Sequence, residues 1–397
     1  MRRALVAALL ALLALAALPP ATRAQTPPPL EGAQRTLDAR VAAVRSGDKA
    51  AFLATVAPDA PAAFKDAQAR LFDGLRSLPL AEYGLEARTF DTGDLSRRGD
   101  KTFLPETRQR MRLRDYDAID AVDTLWLTFA ERDGTWLILA DDDLADVGLE
   151  TARNLWDFGP VVAQPLPHFL VLSHPEQKAR AAALGAMAER ALTVHQERWP
   201  QPWPGRIPLV LPGSVEELGA ILQSTIDLTK FVAFVSYSSV RDSGYEPTAP
   251  RIYIQDANLS KHTERFQTET LAHELNHAAV AYINGPFIPA WVHEGVADWL
   301  ATGQRTNERN RSSDHSNLPR DHSFSTGSQS SIVRSYSLSR AAISTLSRVK
   351  GKGAPAAFVQ ALGEVRVAPG SVDYQVDAAL RRSTGLSVAE LERLWRA

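Results

Sequence analysis

The hydrophobic positions change period part-way along this chain. From residue 37 to residue 78 they recur at helical spacing: Leu37, Val41 and Val44, then Phe52 and Val56, then Phe64, Ala67, Leu71, Leu75 and Leu78. That is the repeat of helices that each bury one face. After Pro79 the period shortens, and the segments 82–90, 108–115, 122–131 and 135–141 have strand character. Asp133-Gly134 stands between the last two, a strong signal for a tight hairpin. Helices followed by an antiparallel sheet predict an α+β domain over 31–155. Residues 157–167, DFGPVVAQPLP, are rich in Pro and Gly, so a linker is placed at 156–167.

A second domain is expected over 168–397. It opens with a strand at 168–173, a long helix at 175–198 and a strand at 206–211. Ser214 and Glu217 have the spacing of a capping box for the next helix, as do Ser387 and Glu390 for the last. Segments 231–238 and 250–255 read as further strands. From Thr263 onward the pattern is almost entirely helical, which predicts a small mixed sheet followed by a mainly helical half. The stretch 303–331 is polar and irregular, and reads either as a loop bordering a cleft or as a solvated insertion.

The beginning of the chain follows different rules. Arg2 and Arg3 precede an apolar run from Ala4 to Leu18, only 15 residues long, which stops at Pro19-Pro20 and is followed by small residues. A spanning helix needs about 20 apolar residues. Residues 1–24 therefore predict a secretory signal peptide, with 25–30 as a Pro-rich spacer. Export to the periplasm or the extracellular space is expected, with no stable membrane anchor after cleavage. Hydrophobic residues make up 45% of the 397 and charged residues 23%, the balance of a folded globular protein. The formal net charge of -2 gives no reason to expect nucleic acid as a partner. There is no Cys, so a metal site has to be built from His and carboxylates. Nothing in the composition sets an oligomeric state.

Candidate chemistry is concentrated in 263–285, TERFQTETLAHELNHAAVAYING, which reads as one helix stopped by Gly285 and Pro286. His273 and His277 are four residues apart, so both imidazoles face the same way and can reach one metal ion. Glu274, beside the first of them, can reach a metal-bound water. This is the HExxH zinc pattern, although five residues alone also fit a helix with two partly exposed His side chains. A catalytic zinc takes three protein ligands and a water. The helix expected after Pro289, PAWVHEGVADWL, carries Glu294 and Asp298 at i and i+4. Glu294 can be the third ligand, with Asp298 one turn on to accept the outer N–H of a ligand His. Successive helix residues point about 100° apart, so His293 is read as a rim or packing residue. His262, His315 and His322 are read as surface residues. Arg251 and Tyr253, on a supposed edge strand, could face a substrate backbone.

HELNH followed 17 residues later by EGVAD, with Trp291, Val292, Glu294, Gly295 and Ala297 around the third ligand, resembles the gluzincins of the thermolysin-like peptidase clan. The likeness spans 165–397, including the closing GLSVAELERLWR, and is closest to the bacterial peptidase MA-like group. It implies His273, His277 and Glu294 as ligands of one zinc ion, Glu274 as general base and Asp298 as orienting residue. It also points to Tyr336, in SYSLSRAAISTL, as a hydroxyl donor to the oxyanion, because a Tyr at a similar place does this in aminopeptidase-like relatives. An ordinary half-buried Tyr on an amphipathic helix is the competing reading. The Gly-x-Met-Glu-Asn segment of the aminopeptidase branch is absent, so no aminopeptidase specificity is carried over. More weakly, 31–155 resembles the cone-shaped SnoaL-like superfamily that the nuclear transport factors share, in its order of elements and its closing strand TWLILADDDL.

These observations predict an exported zinc metallopeptidase acting on peptide or protein substrates. The competing class is a binding protein that keeps a zinc fold as a scaffold. Glu274 separates the two, since a scaffold needs no base.

Overall fold

The computed structural model describes residues 28–90, 98–99, 101–201, 205–239, 247–280, 283, 288–303, 318–364 and 372–396. The expected signal peptide lies outside them. So do residues 25–27 of the expected spacer, and the first helix already begins at Pro29. No helix of the described residues is long and apolar enough to cross a membrane.

The chain is α+β. Its first unit opens with helices α1 (Pro29–Ser46), α2 (Lys49–Leu53) and α3 (Ala62–Arg76). Six strands follow: β1 (Leu80–Arg88), β2 (Thr102–Phe103), β3 (Glu106–Leu113), β4 (Ala121–Leu125), β5 (Thr128–Arg132) and β6 (Thr135–Ala140). They form two antiparallel sheets, ordered β1-β3-β4 and β2-β5-β6. Asp133 (φ 51°) and Gly134 (φ 83°) make the β5–β6 turn, with Arg132 opposite Thr135. Both turn residues are left-handed, the condition for a two-residue hairpin whose twist matches its strands. Helix α1 lies so close to the sheet that a Cβ at Gly32 would stand 2.0 Å from the Trp136 ring. Leu37, Phe52, Leu75, Phe129 and Ile138 fill the space between helices and sheet.

The stretch expected to be a linker is built into the fold. It carries α4 (Leu155–Phe158) and β7 (Val162–Pro165), and β7 pairs antiparallel with β8 (Phe169–Ser173). After β8 come α5 (Lys178–Arg198), β9 (Ile207–Leu211), α6 (Val215–Leu222), β10 (Ala233–Ser239) and β11 (Pro247–Ile254). The five strands are ordered β10-β11-β9-β8-β7, with parallel pairs β8–β9 and β9–β11 at the centre and antiparallel strands at both edges.

Alternate residues of this sheet enter two different cores, as the period of two along a strand requires. Leu170, Leu172, Val210 and Tyr253 pack with the first unit. Phe169, Val171, Leu209, Leu211, Ile252 and Ile254 pack on the other side with α5 and the helix that follows β11. Strands covered on both faces read as continuous apolar runs, which is why FLVLS and IPLVL show no alternation. The rest of the described chain is helical: α7 (Asp256–Leu259), α8 (Glu264–Val280), α9 (Ala290–Thr302), α10 (Gln329–Lys350), α11 (Ala354–Gly363), α12 (Val372–Thr384) and α13 (Val388–Arg396). The helix expected over 263–285 is described as far as Val280, and its expected stop at Gly285-Pro286 lies outside the described residues.

The sheet order overturns one sequence expectation. Strand β11 lies between β10 and β9, so it is no edge, and Arg251 and Tyr253 are both buried. Arg251 does not face a substrate. Its guanidinium donates to both carboxylate oxygens of Asp117 in the first unit, at 2.5 and 2.7 Å. Asp117 Oδ2 also accepts the Leu113 N–H at 2.7 Å. This fork joins the turn after β3 to the middle of the second sheet, out of water. Removing one partner leaves the other charge buried and unpaired. Asp117→Ala is therefore expected to destabilise the protein by about 3–5 kcal/mol. The measurement is the shift in urea midpoint; a shift worth under about 1 kcal/mol would show that the fork does not join the two units.

Candidate metal centre

Helix α8 rises between the sheet and α9, and its inner face carries His273, Glu274 and His277, all buried. One helical turn separates the two His residues, and their Nε2 atoms stand 3.0 Å apart. Helix α9 starts directly after Pro289, whose fixed φ suits a helix entrance, and Asp321 Oδ1 accepts the otherwise unpaired N–H of Ala290 at 2.8 Å. At its other end Arg198 of α5 donates to the carbonyls of Leu300 and Ala301, at 2.5 and 2.9 Å. A cation there suits the negative end of the helix. Helix α9 is thus held at both ends, and its second turn brings Glu294 against the two His residues.

Glu294 Oε2 lies 3.1 Å from His273 Nε2 and 3.4 Å from His277 Nε2. His273 Nδ1 meets Asp298 Oδ1 at 2.8 Å. A carboxylate at Nδ1 accepts the ring N–H there and leaves the Nε2 lone pair pointing into the triangle. Acceptor atoms gathered this closely repel one another unless a cation or protons stand among them. Burial opposes charge on His273, but its bonds to Asp298 and Glu294 outweigh burial and hold its pKa well above the ordinary value. Burial likewise works against ionised Glu294, yet the neighbouring His277 and His273 hold its pKa well below the carboxylate range. His273, His277 and Glu294 form a group that can hold a metal ion.

Gly295 explains how α9 and α10 come so close. A Cβ there would stand 2.7 Å from the Ser339 carbonyl oxygen and 2.9 Å from Ile343 of α10. The absence of a side chain next to Glu294 therefore sets the distance at which α10 passes. Eight residues into α10, Tyr336 reaches the cleft. Its ring centroid is 6.1 Å from that of His273, and its ring packs edge-on against Phe324 at 5.3 Å. Burial, then the carboxylates of Glu294, Glu274 and Asp298, push its pKa well up, so its hydroxyl keeps its proton and remains a donor. Glu274 is buried but makes no hydrogen bond or ion pair among the described residues. Burial raises its pKa, against the pull of His273 and His277.

All six residues singled out in the sequence meet here: His273, His277, Glu294, Asp298, Glu274 and Tyr336. His293 lines the same cleft, its ring tilted against that of His277 with centroids 4.2 Å apart, and burial lowers its pKa to about 3. His262 stacks on Phe266 at the surface, His322 is exposed, and His315 lies outside the described residues. Of the stretch 303–331, residues 304–317 lie outside the described residues, while Phe324 and Ser325 line the cleft.

The sequence reading missed the opposite wall. The cleft, about 300 Å³, is bounded by Ala233, Phe234, Val235 and Tyr237 of the edge strand β10, with Ile226 and Phe231 beside them. The alternation of β10 was legible, but nothing local says that this strand ends the sheet next to α8. No protein-family model and no curated protein sequence matches this chain.

If the triangle holds the metal, His273→Ala, His277→Ala and Glu294→Ala should each lower bound metal to well below one per chain in elemental analysis. Asp298→Asn, which keeps the shape but weakens the bond to His273, is expected to lower metal affinity about 10–100-fold. Full metal content in Glu294→Ala would remove that residue from the set.

Proposed function

We propose that this chain is an exported zinc-dependent peptidase of the gluzincin type. Its first unit is read as a cone-shaped domain similar to the SnoaL-like superfamily. The observation that carries the enzymatic reading is Glu274: a buried carboxylate with no hydrogen-bonding partner among the described residues, next to three converging metal ligands. Burying an ionisable group without a partner is costly, so it persists where chemistry needs it. A scaffold would give this carboxylate a partner or replace it.

The choice of zinc rests on donors and spacing. Two imidazoles and one carboxylate are the donor set of zinc peptidase sites. Ligands at about 2.05 Å from a tetrahedral zinc lie about 3.3 Å from one another. The three distances here are 3.0, 3.1 and 3.4 Å. Bound there, zinc would lower the pKa of a water to about 7 and polarise a carbonyl. Glu274 then takes the proton from the attacking water and returns it to the leaving amine. The Tyr336 hydroxyl donates to the oxygen that becomes negative as the carbonyl turns tetrahedral. Asp298 holds the His273 ring in one tautomer. Strand β10, at the end of the sheet and in the wall of the cleft, offers backbone groups to a peptide lying beside it as an added strand.

Two substitutions test the roles. Glu274→Gln is expected to leave metal content unchanged and to lower hydrolysis of an unfolded protein by at least about a hundredfold. Full activity in a folded, metal-loaded Glu274→Gln protein would sink the mechanism. Tyr336→Phe removes one hydroxyl and keeps the ring against Phe324. Turnover is expected to fall about 10²–10³-fold at constant metal content, whereas a loss under about threefold would mark Tyr336 as a packing residue only.

A further inference from the structure

The metal cleft lies within the second unit, and two further cavities lie along the seam between the first unit and the second. The metal cleft has Tyr237 in its wall. Tyr237 also lines a second cavity, of about 190 Å³, beneath the first unit. That cavity shares Val122, Asp123, Ala152 and Gln223 with a third, of about 780 Å³. The third lies between Arg108 and Trp126 of the first unit and Ala220 and Thr225 of the second. Ile226 lines the cleft and its sequence neighbour Thr225 the large chamber. Ile226 and Tyr237, at these two junctions, are 37% and 41% exposed.

The backbone is shaped at the same junction. Ser236 pairs with Arg251 and Ser238 with Thr248, so two residues of β11 stand opposite Tyr237 alone. One of them, Ala249, has φ 50°, in the left-handed region where a Cβ is penalised. Such a bulge bends its strand and re-aims the side chains around it. Ala249 lines the second cavity and not the metal cleft, so the strain is stored where the cleft passes into the seam. The walls of the large chamber mix one guanidinium (Arg108), two carboxylates (Asp123 and Glu150) and an indole (Trp126). That mixture suits a chain of varied side chains and amide groups better than a purely apolar or purely anionic ligand.

We propose that the first unit belongs to the substrate-binding machinery: an unfolded polypeptide seated at the metal cleft continues over Tyr237 along the seam and is gripped in the chamber between Trp126 and Ala220. This rests on the reading of the cleft as a peptidase site. It makes the natural substrate an extended polypeptide rather than a di- or tripeptide, and it gives the first unit a share in affinity that grows with substrate length.

The test uses the full-length, metal-loaded Glu274→Gln protein, so that binding is read without cleavage. Fluorescence anisotropy compares a labelled unstructured peptide of about 20 mixed residues with its truncation to about six, both designed as the probe for an extended chain. The long peptide is expected to bind at least about tenfold more tightly, and Ala220→Trp, which fills the chamber, should abolish that difference. Thr225→Trp, at an exposed position, is the second variant should Ala220→Trp not fold, and should also shrink the difference. Equal affinities for the two lengths, or a length effect that survives both substitutions, would overturn the proposal and leave the chamber to a small ligand. Hydrolysis of the same peptides by the unsubstituted protein is read separately. A length effect without hydrolysis would sink the peptidase reading and leave the seam groove standing.

Discussion

Burial of one sheet on both faces is the constraint from which the rest of the architecture follows. Strands β8, β9 and β11 present Leu170, Leu172, Val210 and Tyr253 to one side and Phe169, Val171, Leu209 and Ile252 to the other. Neither face can be left in water, since each apolar side chain contributes about 1.5–3 kcal/mol when buried. The first unit covers one face; α5 and α8 cover the other. The helix that carries HELNH is thereby pressed against a sheet whose opposite face the first unit closes. The metal centre and the first unit are thus coupled through five strands, and the Asp117–Arg251 fork fastens the same junction.

On that support the site is assembled by two helix contacts. Helix α8 supplies two imidazoles one turn apart, and α9 brings a carboxylate to them and a second carboxylate to the back of His273. Gly295 then admits α10 at a distance that a methyl group would block, and α10 delivers Tyr336. Each step removes water from the next. The consequence is electrostatic: ionisable groups close together and poorly solvated hold one another's charge states, with His273 and Glu294 driven apart in pKa and Glu274 drawn upward. Among the described residues Glu274 has no bonded partner, unlike His273, His277 and Glu294.

The cleft itself is made by elements far apart in the sequence. Strand β10 and the 226–234 stretch form one wall, α8 and α9 the floor, and α10 with Phe324 the other side. Because β10 carries the bulge opposite Tyr237 and lines both cavities, the same strand that borders the candidate metal site also borders the seam under the first unit. One strand thus links the place where a bond could be broken to the place where a long chain could be held.

What the sequence by itself determined is local. The i, i+4 spacing of His273 and His277, and of Glu294 and Asp298, puts each pair on one helix face wherever the helices lie, and Asp133-Gly134 defines its hairpin without tertiary help. Those four residues were legible for that reason, Glu274 by its place beside His273 in the same motif, and Tyr336 by resemblance. Strand order was not, because neighbours in a sheet are chosen by pairing between distant segments. Arg251 on β11 therefore read as an edge residue when it is a buried partner of Asp117, and β10, the true edge, went unremarked. The Pro- and Gly-rich stretch read as a linker because composition marks where a chain turns, not whether the turning segment is then paired. Only the tertiary structure turned it into β7, closing the sheet at its far edge. The same holds for Gly295, whose missing side chain has no meaning in sequence until α10 is packed 2.7 Å from where its Cβ would be.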